Sequence, residues 1–312
     1  MNILFITEKW CDANPFYGLT NSYHNIFGSF KRSSFDSKHK VDIIHYDECM
    51  VKKNIHIDVY RDKIWDKFKP DLIVCTLLGN SPMNPSKEFF RFFKEKGTKN
   101  VFIWPDIGAG WGINQISEFS DVTYKNIAWA SEKNIKAENL EWLWTPEDPS
   151  LFYFDEKQEK DIDICFLGTV HNNERYSYIS QLQSSNLGNV LISGGQRSAK
   201  LSETQYAECT RRSKIIVNFP FSPSGGDQLK GRVFESTACG GLLLERKNEK
   251  TSEFYNEDEY VSYTTPEDLI EKCRFYLNND EERKKIALKG WQKYNSCYSA
   301  EHYWKKFFDI IS

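Results

Sequence analysis

The chain has 312 residues, 40% of them hydrophobic and 27% charged, which is the balance of a globular protein and excludes a disordered one; the length suits two cores of about 150 residues each. With 41 basic and 44 acidic side chains the formal net charge is −3, so no global positive field recruits nucleic acid or an anionic membrane, and any polyanion has to be met by a local patch. The eight cysteines form no CxxC pair and no Cys/His cluster at zinc spacing, which reads as buried reduced thiols of a cytosolic protein rather than a disulfide framework or a metal site.

Short β-branched runs recur between longer amphipathic stretches, the alternation of parallel sheets with helices on both faces. NILFIT (2 to 7) opens as a buried strand, and Glu8 and Lys9 follow before a signal-peptide core could form, so secretion by that route is not expected. No later apolar run is long enough to span a bilayer, so a cytoplasmic location is expected. The loop from Glu8 to Tyr23 is long, as loops that carry function often are. VDIIHY (41 to 46) predicts a strand, VYRDKIWDKFK (59 to 69) a helix, and PDLIVCTLL (70 to 78) a strand whose proline stops that helix. SKEFFRFFKEKG predicts a helix closed by Gly97, with the phenylalanines in the core, and NVFIWPD (100 to 106) the next strand. DVTYKN and NLEWLW (139 to 144) complete a first domain over 1–150.

The polar, proline-containing segment from 145 to 161 reads as a linker to a second domain, 151–298. That domain opens with DIDICFLG (161 to 168), continues through the helix ERYSYISQLQSS and the strand NVLISGG, then the helix SETQYAECTRRS and the strand KIIVNFPF (214 to 221). GRVFESTACG predicts a helix, GLLLER (241 to 246) a strand, and TPEDLIEKCRFYLNNDEERKKIALKGWQKYN a helical pair. SAEHYWKKFFDII, within 299–312, has helical apolar spacing and is expected to pack back across the chain.

The stretch GGDQLKGRVFESTACGGLLLER (225 to 246) carries the most chemistry. Lys230 and Arg232 stand ahead of a short helix, Glu235 lies in its first turn and Asp227 in the loop before it; helix-start N–H groups beside cations suit a phosphate. A carboxylate one turn inside can accept from the cis hydroxyls of a ribose. The alternative is a capped surface helix with solvated cations. In FLGTVHNNER (166 to 175), Gly168 and Thr169 end the first strand of the second half and Arg175 enters the next helix, at the edge where open α/β sheets bind ligands. A base that deprotonates an acceptor hydroxyl is needed for displacement at a sugar, and Asp106, between the strand NVFIWP and the loop IGAGWG, is the leading residue for it; a turn-capping role is the alternative. Asp12 and His24 compete for that part. Trp10, Phe16, Tyr17, Trp104 and Trp111, with Gly18 in the same first loop, offer rings and close backbone approach on an acceptor side. Asp161 and Asp163 start a strand at the wrong end for a metal-binding pair, so no metal is expected and arginine and lysine are left to offset phosphate charge.

LKGRVFESTACGGLLLE and the FYNEDEYVSYTTPEDLIEKCRFYLNNDEERKKIALKG stretch resemble the C-terminal domain of GT-B glycosyltransferases, especially those similar to spore-maturation glycosyltransferases; FLGT, the Arg175 helix and KIIVNFP fall in the same order. The resemblance implies an α/β GT-B fold, two Rossmann-like domains with parallel sheets facing across a cleft, and a nucleotide sugar, UDP-linked above others, as co-substrate with no further cofactor. It assigns Glu235 to the donor ribose and Arg232 and Arg175 to the diphosphate. Many retaining relatives carry two glutamates eight positions apart, whereas Asp227 occupies the earlier position here. The Asp106 segment and the RVFE pattern also resemble phage DNA β-glucosyltransferases, in which the matching aspartate is the base. Three functions follow: transfer to a glycan or cell-surface polymer, transfer to hydroxymethylated bases of DNA, or a catalytically silent nucleotide-binding scaffold.

Overall fold

A computed structural model describes residues 1–105, 111–129, 137, 139–168, 170, 173–194, 201–221 and 227–312, without the side chains of Trp111, Asn173 and Glu174. Its contacts divide the chain into two units, Met1–Asp148 with Ala300–Ser312, and Pro149–Ser299.

The first unit holds six parallel strands: β1 (Asn2–Thr7), β2 (Lys40–His45), β3 (Leu72–Cys75), β4 (Lys99–Trp104), β5 (Lys125–Trp129) and β6 (Leu140–Leu143), in the spatial order β2-β1-β3-β4-β5-β6. Successive side chains of a strand point to opposite faces, and β1 shows it: Leu4 and Ile6 join one core with Phe89, Phe90 and Phe93, while Ile3 and Phe5 join another with Phe30 and Trp304. Both faces are covered, which is why these strands are apolar without alternation. The helix Ala300–Ile311 supplies part of the second cover, with Trp304 donating from Nε1 to Ser29 Oγ at 2.9 Å.

The second unit has β7 (Ile162–Leu167), β8 (Val190–Ser193), β9 (Ser213–Asn218), β10 (Leu242–Arg246) and β11 (Val261–Tyr263), all parallel, ordered β11-β10-β9-β7-β8. Ile164, Phe166, Val217 and Leu244 build the larger core; Ile162, Cys165 and Leu167 build a smaller one on the opposite face. Each unit is thus a parallel sheet wrapped by helices, the Rossmann-like architecture.

Three local differences from the sequence reading have physical causes. The strand expected at DVTYKN begins instead at Lys125, because Val122 and Thr123 are buried as the turn closing the helix Trp111–Glu118, both donating to Phe119 O. Strand β11 carries little sequence pattern, having three residues inside a polar stretch. Residues Thr145, Glu147 and Asp148, read as polar linker, are buried, with Asp148 ion-paired to Arg32 at 3.3 Å and facing His24 Nδ1 at 3.6 Å.

Candidate functional site

The carboxyl ends of β7, β9 and β10 lie side by side in the second unit, and the charged residues singled out in the sequence meet there. The seven-residue helix Arg232–Ala238 follows Gly231, which caps it without a side-chain bond. So short a helix has a small dipole, and side chains supply most of the charge. The Arg232 guanidinium donates from Nη1 to Asn218 Oδ1 at 2.7 Å, donates from Nη2 to the Leu167 carbonyl, and lies 5.0 Å from the Phe166 ring centroid. Its Nε–H is buried with no hydrogen-bond partner among the described residues. Gly168 makes this approach possible, since a Cβ there would fall 2.8 Å from Arg232 Nη2.

Arg175, in the helix Asn173–Ser184, approaches the same ring: its guanidinium carbon is 5.7 Å from the Phe166 centroid and 5.8 Å from that of Phe219, and Nη2 donates to Phe221 O at 3.4 Å. Burial, and then the charge of Arg232, push its pKa down to about 10. Two guanidiniums on one ring repel each other, and an anion accepted by both relieves that repulsion.

Glu235 is 4% exposed and accepts from the Tyr206 hydroxyl. Burial raises its carboxyl above the ordinary range, against the pull of the nearby Arg232. Burial also opposes the charge on Arg232, but Tyr206 and Glu235 beside it prevail, and its pKa lies above the usual value. Tyr206, Asn218 and the buried Glu245, which accepts from Asn218 Nδ2 at 2.7 Å, complete the cluster. None of these three was singled out in the sequence, where each is a lone polar residue in a helix or strand.

Lys230 stands one turn ahead and donates to Gln228 Oε1. Asp227 pairs with Arg246 Nη1 at 3.4 Å, and its carbonyl accepts from Lys250 Nζ at 2.7 Å, so it anchors its loop. Asp161 and Asp163 are ion-paired with Arg212 and Lys214. Among the described residues no group of three or more His, Cys, Asp and Glu is arranged to hold a metal. Thr169 lies outside the described residues.

On the acceptor side of the reading, Asp106 and the Trp111 side chain also lie outside the described residues. Trp10 is a packed residue rather than a free platform: it is 8% exposed, and its backbone N–H donates to Asp47 Oδ2 at 2.9 Å. Trp104 is likewise core, 2% exposed, donating from Nε1 to Asn126 Oδ1 at 2.9 Å. The first loop is folded on itself by the Cys11 N to Gly18 O bond of 3.1 Å and by left-handed Asp12 and Gly18 at φ of 51° and 78°. It leaves Phe16 almost fully exposed, while Asp12 is exposed and Tyr17 half-buried. His24 is half-buried beside Asp148.

Residues 158–309 match the family model described as glycosyl transferase-like. No curated protein matches the chain in sequence. Among solved structures, HepE of Anabaena in complex with UDP and glucose superposes with a TM-score of 0.62 at 8% identity, covering 100% of this chain and 99% of that one. Sucrose-phosphate synthase of Thermosynechococcus elongatus gives 0.62 at 10% identity, covering 99% and 98%. The DNA modifying enzyme β-glucosyltransferase gives 0.56 at 13% identity, covering 100% and 99%. These likenesses establish the GT-B fold of the chain. No helix among the described residues is long and apolar enough to cross a membrane.

Proposed function

Proceeding from a chain with the GT-B fold whose residues 158–309 match the glycosyl transferase-like family model, we propose that it transfers a sugar from a nucleoside-diphosphate donor, UDP-linked, to an acceptor hydroxyl of a glycan or cell-surface polymer. One observation carries the proposal: Arg175 and Arg232 converge on the Phe166 ring at the end of β7, with the buried Glu235 carboxylate one turn along the helix from Arg232. The two arginines, with Lys230, take the charge of the diphosphate, and Glu235 accepts from the ribose. Charge is offset by guanidinium groups, so the reaction is proposed to be metal-independent.

In the reaction, the acceptor oxygen attacks the anomeric carbon as Asp106 removes its proton. The bond from that carbon to the β-phosphate oxygen breaks, and UDP departs with its new charge held by the arginines. Asp106 has this part on its sequence position, after a strand and before a glycine-rich loop; Asp12 and Trp111 belong to the acceptor side on the same ground.

Calorimetry on the full chain tests the donor site. UDP is expected to bind more tightly than UMP, and UMP more tightly than uridine, with Arg175→Ala costing UDP about 10-fold or more while uridine is unchanged. Asp106→Asn is expected to abolish transfer and donor hydrolysis with UDP affinity retained. Absence of nucleoside-diphosphate binding removes the enzymatic reading; binding without hydrolysis or transfer by the unmodified chain favours a silent scaffold. The resemblance of the Asp106 segment and of RVFE to phage DNA β-glucosyltransferases supports a second acceptor, hydroxymethylated DNA. That reading requires DNA binding that weakens as salt is raised.

A further inference from the structure

Arg232 is held by more than its own helix. Nη2 is fastened to the Leu167 carbonyl at the end of β7, and Nη1 to the side chain of Asn218 at the end of β9, the neighbouring strand. Asn218 is fully buried and uses both ends of its amide. Oδ1 accepts from Arg232 at 2.7 Å, and Nδ2 donates to Glu245 Oε2 at 2.7 Å. Asn218 and Glu245 are register partners on β9 and β10, so their side chains leave the sheet on the same face. The far end is tied down as well: Thr251 Oγ1 donates to Glu245 Oε1 at 3.4 Å, and the Tyr263 hydroxyl donates to Asn218 O at 2.7 Å.

The guanidinium fixes the amide's orientation, because it can only donate: Oδ1 must face Arg232, and Nδ2 then donates to Glu245 Oε2. A turned amide would set NH2 against Nη1 and the carbonyl against Glu245. Glu245 therefore holds the amide with Oδ1 turned toward Arg232. The guanidinium has five N–H donors, and these two anchors leave further donors for an anion.

We propose that Asn218 is a positioning residue for donor binding, through which the buried Glu245 carboxylate locks the Arg232 guanidinium at the carboxyl end of β7. The inference rests on the reading of that end as the diphosphate site. Its effect falls on the phosphate part of the donor and not on the nucleoside, which separates it from a general contribution to the core.

The test is the ratio of UDP to uridine affinity, measured by calorimetry on the full chain. Asn218→Ala is expected to narrow that ratio about 10-fold with uridine affinity unchanged, the effect of losing one fixed charge-assisted contact. Glu245→Ala is expected to narrow it as well, the double variant to narrow it no further, and Glu245→Gln to recover part of the ratio lost in Glu245→Ala, since its carbonyl still accepts from Asn218. Should Asn218→Ala fail to fold, Asn218→Asp keeps the shape, loses the donor to Glu245 and engages Arg232 as an ion pair; it is expected to narrow the ratio too. A folded Asn218 variant that keeps the full ratio, or that loses UDP and uridine equally, overturns the inference. A native chain that binds UDP no better than uridine fails earlier, at the diphosphate site itself.

Discussion

Glu245 illustrates how one buried group sets a pH dependence. Its carboxyl is raised from 4.5 to about 7, first by burial, against hydrogen bonds from Asn218, Asn248 and Thr251 and the charge of Arg232. Between those two values the folded chain keeps a proton that the unfolded chain releases. Its contribution is therefore fully present below pH 4.5, declines as pH rises and is lost above about pH 7, a change on the order of 3 kcal/mol. Glu245→Gln cannot titrate. Its urea midpoint is expected to fall less between pH 5 and pH 8 than that of the native chain, and identical pH profiles would show that Glu245 is not proton-linked to folding. Individual residues were legible to different degrees. Arg175, Arg232 and Glu235 could be singled out because charge at a strand end or helix start needs a reason. Asn218 and Tyr206 could not, since their meaning lies in partners 14 and 29 positions away, and Glu245 lies 27 from Asn218.

Secondary elements were easier to read than their contacts. Apolar β-branched runs announced β1, β3, β4, β7, β9 and β10, because strands covered on both faces have no polar side to interrupt them. Helix starts followed their caps, Ser86, Ser202 and Thr265 each accepting a backbone N–H of the first turn. The register of β5 was missed since Val122 is apolar for a turn's sake, and β11 because three residues carry too little pattern. Packing between elements was not legible at all, as Gly290 shows. It lies inside the helix Asp280–Lys293, where alanine ordinarily stabilises by about 1 kcal/mol. A Cβ there would meet the Glu259 carbonyl oxygen at 2.5 Å, so the helix or the Glu259 turn must move. Gly290→Ala is expected to lower stability by about 1–3 kcal/mol in a denaturant titration, and a rise would mean that the helix has room to yield.

At the scale of the whole molecule, the helix Ala300–Ile311 is part of the first unit although the entire second unit precedes it in sequence. Trp304 is fully buried, its ring 4.9 Å from Phe30 and 6.0 Å from Phe5 between centroids. Trp304→Ala is expected to cost about 3–5 kcal/mol, read as a lowered urea midpoint; a loss below about 1 kcal/mol would mean that the sheet closes over without this helix. The same arrangement bears on folding. Pro149–Ser299 is one uninterrupted stretch, whereas the first unit is discontinuous and has Phe5 and Phe30 covered by a helix that lies beyond the second unit in sequence. While Ala300–Ile311 is undocked during folding, the aromatic face it covers is bare, and that is where a chaperone, or another unfinished chain, would bind.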